Sequence, residues 1–152
     1  MAFKAKMLGR EVVMRRLNRL VPEAEKEVAV AQLEVAQEGA ARIAARAPVG
    51  DSGEYAQSIE GDRLANRPGQ NAVGRGLKGG TKDKNATGIF ASFKWRWLEF
   101  GTKDRVVKAT GQKVGKMTPQ PHIFPTWRAY RKAARRKIAN AVNRAVRKVK
   151  RG

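Results

Sequence analysis

The sequence contains no cysteine and only one histidine, His122. The absence of cysteine excludes disulfides and thiolate metal sites, and zinc or iron sites need three or four ligands that one histidine cannot supply. There is no cysteine nucleophile, and no pair of carboxylates has a recognisable acid/base spacing. We therefore predict a protein that is not an enzyme and binds no metal or cofactor, with His122 as a packing or hydrogen-bonding residue.

Long apolar runs are also absent. No N-terminal stretch has the length of a signal peptide or a membrane-spanning helix, so the sequence predicts a soluble, intracellular chain with no membrane partner. With 152 residues, of which 41% are hydrophobic, the chain is long enough for one compact domain with one moderate core.

Acidic residues are few and end early in the sequence. There are 33 Lys and Arg against 13 Asp and Glu, which gives a formal net charge of +20. Asp104 is the last acid, so residues 105–152 carry 15 basic residues and no acid. Such an imbalance favours an anionic partner, with nucleic acid as the first hypothesis.

Two helices are predicted in the first third of the chain. Residues 1–21 form an N-terminal extension with Val13, Met14, Leu17 and Leu20 at helical spacing. Pro22 suits the first turn of a second helix, which continues to about Arg46, where the Ala-Pro pair at 47 and 48 stops it.

The middle of the chain predicts strands and one long flexible loop. We expect a strand starting near Tyr55 or Ser58, a loop over residues 61–88 around a weak strand at 72–77, a buried strand in IFASF (89–93), and a hairpin in RVVKATGQKV (105–114) that turns near Thr110 and Gly111. The loop includes GRGLKGGTK, which lacks the spacing of a phosphate-binding Walker motif. The prediction is an α+β fold with a mixed or antiparallel sheet of about four strands.

A long basic helix is predicted over residues 125–152. Trp127, Tyr130, Ala134, Ile138 and Ala141 recur every three or four residues, while 11 Lys and Arg occupy much of the remaining surface without one acid. These cations would repel each other unless an anion were near. The candidate DNA-facing residues are Arg128, Arg131, Lys132, Arg135, Arg136, Lys137, Arg144, Arg147 and Lys148.

The aromatic stretch FKWRWLEFGT (93–102) allows different interpretations. It could be a base-stacking surface, but such platforms usually have no acid at their centre. Packing in the core or at a subunit interface is the favoured interpretation, on a short central helix or strand edge that ends at Gly101. Glu99 would then need a partner, either nearby backbone amides or an arginine of a neighbouring subunit.

Several short motifs together resemble the head-tail joining protein family of long-tailed bacteriophages and prophages, also called neck or tail-completion proteins. The matching residues are Ala47-Pro48, Gly53, Ser58-Ile59, Glu99-Phe100-Gly101-Thr102 and Phe124-Pro125, within a resemblance that spans roughly residues 22 to 150. Two departures are Tyr55, where the family usually has Leu, and FKWRW, which replaces a lead-in that more commonly contains Tyr-Ala.

The resemblance implies a structural virion protein, assembled in the bacterial host cytoplasm into a hexameric ring in the neck of the particle. Its expected partners are other copies of itself, a head-side connector or head-closure protein, a tail-tube or tail-terminator protein, and double-stranded DNA held by non-specific phosphate contacts. The candidate structural or subunit-interface residues are Trp95, Trp97, Glu99, Phe100, Gly101, Thr102, Phe124 and Pro125.

Two alternative functions stay open at this stage. A tail-terminator ring that caps the tail tube belongs to the same group of modules. A free basic nucleic-acid-binding protein, of ribosomal or nucleoid type, would need only the charge of +20. Such a binder should be a monomer or dimer in solution, whereas a neck protein should copurify with phage-like particles.

Overall fold

The computed structural model describes residues 10–74 and 83–151. They form an α+β fold in the order α1 (Arg10–Ala44), α2 (Glu54–Gln57), β1 (Glu60–Arg63), a 3-10 turn (Leu64–Asn66), β2 (Thr87–Phe90), α3 (Trp95–Phe100), β3 (Arg105–Val106), β4 (Lys113–Gly115) and α4 (Ile123–Arg151). The long N-terminal helix, the short aromatic helix and the long basic C-terminal helix are confirmed.

Helix α1 is continuous, so the prediction of a break at Pro22 is wrong. Pro22 lies inside the helix, where it removes one backbone hydrogen bond. Lys148 and Val149, at the end of α4, line a pocket with residues on both sides of the proline, Asn18 and Glu23 among them. Lys148 also forms ion pairs with Glu23 and Glu27, so the tertiary structure holds this part of α1 against α4.

The four strands form two separate antiparallel pairs rather than one sheet. Strand β1 pairs with β2, Glu60 opposite Phe90 and Arg63 opposite Thr87, and β3 pairs with β4 in the predicted hairpin. Helix α3 lies between the two pairs in the chain, and the hairpin strands have no buried residue with which to join a larger sheet.

The predicted strand boundaries in the middle of the chain need correction. Tyr55 belongs to α2, and the strand begins only at Glu60. Most of β1 and the start of β2 fall within residues 61–88, which were predicted as loop. In IFASF only Ile89 and Phe90 are in β2, which begins two residues earlier. Residues 72–74 are not a strand, and 75–77 lie outside the described residues.

The core lies where the two long helices meet the β1–β2 pair. One cluster contains Ala40, Ile43, Ala47, Ile59 and Ile123, with Trp95 packed against its edge. A second joins Val35 of α1 to Tyr130 and Ala134 of α4. Alanines on both helices are buried, so the helices can approach closely.

One glycine sets the distance between β1 and α1. A Cβ at Gly61 would lie 2.2 Å from the carbonyl carbon of Ala36, which is inside the contact distance of any pair of heavy atoms. Only a residue without a side chain allows the strand to cross the helix backbone this closely.

Candidate functional site: the Glu99 corner and the basic face of α4

The buried carboxylate of Glu99 lies at the N-terminus of α4. Its Oε2 accepts hydrogen bonds from the backbone amides of His122 (2.8 Å) and Ile123 (3.0 Å), and its Oε1 accepts one from Phe124 (3.0 Å). The first amides of a helix have no partner within it and carry partial positive charge. Of the two predicted kinds of partner for Glu99, the structure supplies backbone amides.

His122 and Tyr55 complete the buried side of this corner. The Nδ1 of His122 lies 2.7 Å from the carbonyl oxygen of Gln120, which can only accept, so Nδ1 donates. In the neutral ring Nε2 then accepts from the Tyr55 hydroxyl, 2.7 Å away. Burial, and then the charge of Glu99, raise the pKa of Tyr55 to about 12, so this hydroxyl keeps its proton at neutral pH. His122 is a hydrogen-bonding residue, as predicted.

Gly101 turns the chain directly after α3. Its φ of 72° and ψ of −177° lie in a region that only glycine occupies readily. A Cβ there would lie 2.7 Å from the carbonyl oxygen of Met117 and 2.8 Å from Cδ of Pro119. Thr102 pairs with Met117 by two hydrogen bonds, each 3.0 Å. The turn therefore fixes α3 against the segment that leads into α4.

We call Glu99, Gly101, Tyr55 and His122, with the first turn of α4, the Glu99 corner.

Two of the motifs of the resemblance, Glu99-Phe100-Gly101-Thr102 and Phe124-Pro125, meet at this corner, and others lie in the adjoining core. The rings of Phe100 and Phe124 have centroids 5.9 Å apart, and Trp95 lies 6.4 Å from Phe124. Ile59 shares a core cluster with Ala47, and the Ser58 hydroxyl accepts a hydrogen bond from the amide of Ser92. Pro125 lies in the first turn of α4 and is exposed.

The aromatic stretch divides into a packed side and an exposed side. Trp95 is half-buried and packs on the core, whereas Phe93, Trp97 and Phe100 are 69%, 39% and 62% exposed. Phe93 and Trp97 are in edge-to-face contact at 5.5 Å, and the guanidinium of Arg105 lies over Trp97. Packing within the chain therefore accounts for Trp95, and leaves three aromatic side chains on the surface.

The basic residues of α4 divide into two groups. Lys137, Arg144 and Lys148 form ion pairs with acids of α1: Lys137 with Glu38, and the other two with Glu27. These three were candidate DNA-facing residues, and the structure engages them with α1. Sequence reasoning missed these pairs because 99 to 121 residues separate the partners in the chain.

The second group has no ion pair among the described residues. Its residues are all exposed. Five of them recur every three or four positions in the first half of the helix, and three lie near its end: Arg128, Arg131, Lys132, Arg135 and Arg136, then Arg147, Lys150 and Arg151. The first five lie within nine residues on the side of α4 away from α1. We call these five the basic face. It is the concentration of uncompensated positive charge that could hold phosphates.

The ion pairs between the long helices predict that the free energy of unfolding decreases at acid pH. Hydrogen bonds from Lys137 and Arg42 lower the pKa of Glu38 from 4.5 to about 2. A lowered pKa in the folded state adds stability above about pH 4.5, and this stability is lost as the pH falls toward 2.

We expect Glu38→Gln to lower the free energy of unfolding at pH 7 more than at pH 3, as measured by urea unfolding at both values. The exposed acid Glu25 has no ion pair among the described residues, so Glu25→Gln is the matched control and should change neither value. Equal losses at both pH values for Glu38→Gln would contradict the assigned pairing.

Within residues 10–74 and 83–151, no helix is both long and apolar enough to cross a membrane, and no group of three or more His, Cys, Asp or Glu could hold a metal ion. A scan against protein-family models, a search of the curated proteins and a search of the solved structures each found no match.

Proposed function

We propose that this chain is a structural, non-enzymatic protein of a tailed phage or phage-like particle. It forms a ring in the neck, hexameric by the resemblance, which joins the DNA-filled head to the tail and surrounds the DNA passage. The observation that carries the proposal is the Glu99 corner. The separate motif residues Glu99-Phe100-Gly101-Thr102 and Phe124-Pro125 meet there, and they hold the exposed aromatic rings of α3 in a fixed position.

The geometry of the corner suits a structural role better than catalysis. Glu99, His122 and Tyr55 satisfy one another and the backbone, and Glu99 and His122 are both 3% exposed, so they are placed for support rather than for contact with a substrate. Phe93 and Trp97 form an exposed edge-to-face pair, and Phe100 is exposed at the end of α3. Aromatic side chains of this kind are enriched at interface centres.

The basic face gives the ring a means to hold DNA. Lysine and arginine contacts to phosphate carry no sequence information and weaken steeply with salt. Contacts that are weak and distributed around a ring would retain the DNA end without blocking its ejection. The tail-terminator ring uses the same architecture and differs in its neighbours within the particle.

A free nucleic-acid-binding protein is the second candidate, and the basic face is the observation that favours it. The five unpaired cations would serve such a protein without any ring. The exposed Phe93, Trp97 and Phe100 suit the subunit contact of a neck protein, and in a free binder the same rings would stack on bases.

The test of function is deletion of the gene from the phage or prophage that carries it. We expect separate heads and tails in the lysate, seen by electron microscopy, and recovery of joined particles when the gene is supplied in trans. Normal particles from the deletion strain would overturn the proposal, and a defect confined to host nucleic acid would favour the second candidate.

The two groups of cations on α4 predict different effects on DNA binding. Replacing Arg128, Lys132, Arg135 and Arg136 with Gln should weaken binding to duplex DNA and reduce the slope of log affinity against log salt by about 0.9 for each lost phosphate contact. Fluorescence anisotropy over a salt series measures this slope.

The matched control is the triple replacement of Lys137, Arg144 and Lys148 with Gln. It removes nearly the same charge from the same helix, but from the side that pairs with α1. We expect it to lower thermal stability and to change the slope less. If the control changed the slope as much as the basic-face variant, the division of the helix into two groups would be wrong.

A further inference from the structure

The N-terminal part of α1 is exposed among the described residues. Residues 11–19 are all exposed, and Asn18 and Arg19, at the end of this stretch, line a pocket with Lys148 and Val149 of α4. We call residues 11–19 the α1 overhang. It carries Val13, Met14 and Leu17, which are 57%, 47% and 47% exposed.

The apolar stripe of the overhang continues the face of α1 that packs inside the fold. Val13 and Leu17 precede Leu20, Ala24, Val28, Ala31 and Val35 at spacings of three or four residues, which places them on one side of the helix. Ala31 and Val35 of that side are buried, and Val35 packs on α4. The overhang is therefore the uncovered end of an established interface, and it is shaped to receive an apolar partner.

A second apolar surface lies at the other end of the molecule. Most of the remaining large exposed apolar side chains among the described residues lie on α3, just before it, or on the β3–β4 hairpin: Phe93, Trp97, Phe100, Val106, Val107 and Val114. We call this set the aromatic surface. Trp95 packs against the core cluster that contains Ile43 of α1, and Ile43 lies 26 positions after Leu17 in the helix, about 39 Å along the axis.

We infer that the α1 overhang of one copy docks on the aromatic surface of the next copy. This inference rests on the proposed ring, and it names the two surfaces that form the contact. Two different surfaces at opposite ends of one chain produce head-to-tail association, which closes into a ring when the rotation between copies allows it. Two copies joined through one shared surface would stop at a dimer.

Contacts between arginine and aromatic rings also favour this pairing. The overhang carries Arg15, Arg16 and Arg19. The aromatic surface is itself basic, with Lys94, Arg96 and Lys103 exposed, so the contact depends on apolar and cation–π interactions and not on opposite charge. Aromatic faces attract guanidinium groups, and Arg96 and Arg105 already lie over Trp95 and Trp97 within the chain. The exposed rings of Phe93 and Phe100 can receive arginines of the neighbouring copy.

The test uses single cysteines, which are unambiguous because the chain has none of its own. Val13→Cys marks the overhang and Lys94→Cys marks the edge of the aromatic surface. The two purified full-length variants, one with an affinity tag to change its mass, are mixed and treated with a short bis-maleimide. We expect a cross-linked product that contains one copy of each variant, in several-fold excess over the product of either variant alone.

The control is Val30→Cys, which lies on the same helix and is 54% exposed, close to the 57% of Val13, but outside the overhang. It should give no product with the Lys94→Cys variant. A product from Val13→Cys alone, from Lys94→Cys alone, or equally from Val30→Cys would overturn the inference, and so would the absence of any product.

A second pair of variants tests the contact without a reagent. Leu17→Glu should shift the full-length protein toward monomer in light-scattering measurements, with little change in melting temperature, because Leu17 is 47% exposed and belongs to neither core cluster of the described residues. Val30→Glu should leave the association unchanged. Association that survives Leu17→Glu would contradict the docking.

Failure of the docking and failure of the neck function give different results. The presence of the wild-type chain in purified particles reports on the function. A chain that is present in particles, but shows no cross-link between positions 13 and 94, overturns the contact alone. A chain that is absent from particles overturns the function, whatever the cross-linking shows.

Discussion

Glu99→Ala is expected to lower the free energy of unfolding by about 3 kcal/mol. The substitution removes the acceptor for three backbone amides, those of His122, Ile123 and Phe124. It also removes the negative charge at the positive end of a helix of 29 residues. The site is buried, so water cannot easily replace the lost carboxylate. Chemical denaturation of the purified variant measures the loss.

Glu99→Gln separates hydrogen bonding from charge at this position. The side-chain oxygen of glutamine can still accept hydrogen bonds from one or two of the backbone amides. Its NH2 group, itself a donor, would face the remaining backbone N–H and could not accept from it. We therefore expect a loss between zero and that of the alanine variant. Exposed Glu25→Gln serves as the control. A Glu99→Ala protein as stable as wild type would contradict the assigned role of the carboxylate.

Gly101→Val is expected to destabilise the chain by about 3 kcal/mol or more and to prevent particle assembly. Two effects add at this position. A side chain strains a backbone with φ of 72°, and its Cβ collides with the Met117 carbonyl oxygen at 2.7 Å and with Pro119. Because these neighbours are backbone and a proline ring, neither can move away without displacing the segment that leads into α4.

Gly111 provides the matched control for this prediction. Its φ is 69°, close to that of Gly101, but no atom lies within 4 Å of a Cβ built there. Gly111→Val should therefore show the backbone strain alone, about 1 to 3 kcal/mol, and should still assemble. If the two variants were equally stable and both gave joined particles, the turn at Gly101 would not be the structural corner we describe.

The helices could be predicted from sequence because their signals are local. The apolar spacing of Trp127, Tyr130 and Ala134 indicates α4 correctly, and the structure begins that helix only two residues earlier than predicted, at Ile123. Pro22 misled the prediction of α1. A proline signals a helix start from its local preference, but α1 also packs against the end of α4, where Lys148, 126 residues from Pro22, pairs with Glu23 and Glu27.

The strands were harder to predict because each is only two to four residues long. In the pairing of β1 with β2, Gly61 lies opposite Ile89. Gly61 also packs directly against the backbone of α1, and no local sequence pattern reveals that close approach. Tyr55 has the character of a strand residue, yet it lies in a single helical turn from which its hydroxyl reaches His122.

The candidate site was predictable in its residues but not in its contacts. A buried charge needs a partner, so the sequence predicts backbone amides or an arginine beside Glu99, and the structure supplies the amides. The hydrogen bond between His122 and Tyr55 could not be predicted, because 67 residues separate the two in the chain. The division of α4 into paired and unpaired cations also required the fold, since it depends on which side of the helix faces Glu27 and Glu38.

The most direct test of the central claim is to locate the chain in purified particles by electron cryomicroscopy with an internal tag. The account predicts density for a ring at the junction of head and tail, present in joined particles. The absence of the chain from intact particles, with its recovery on host nucleic acid instead, would contradict it.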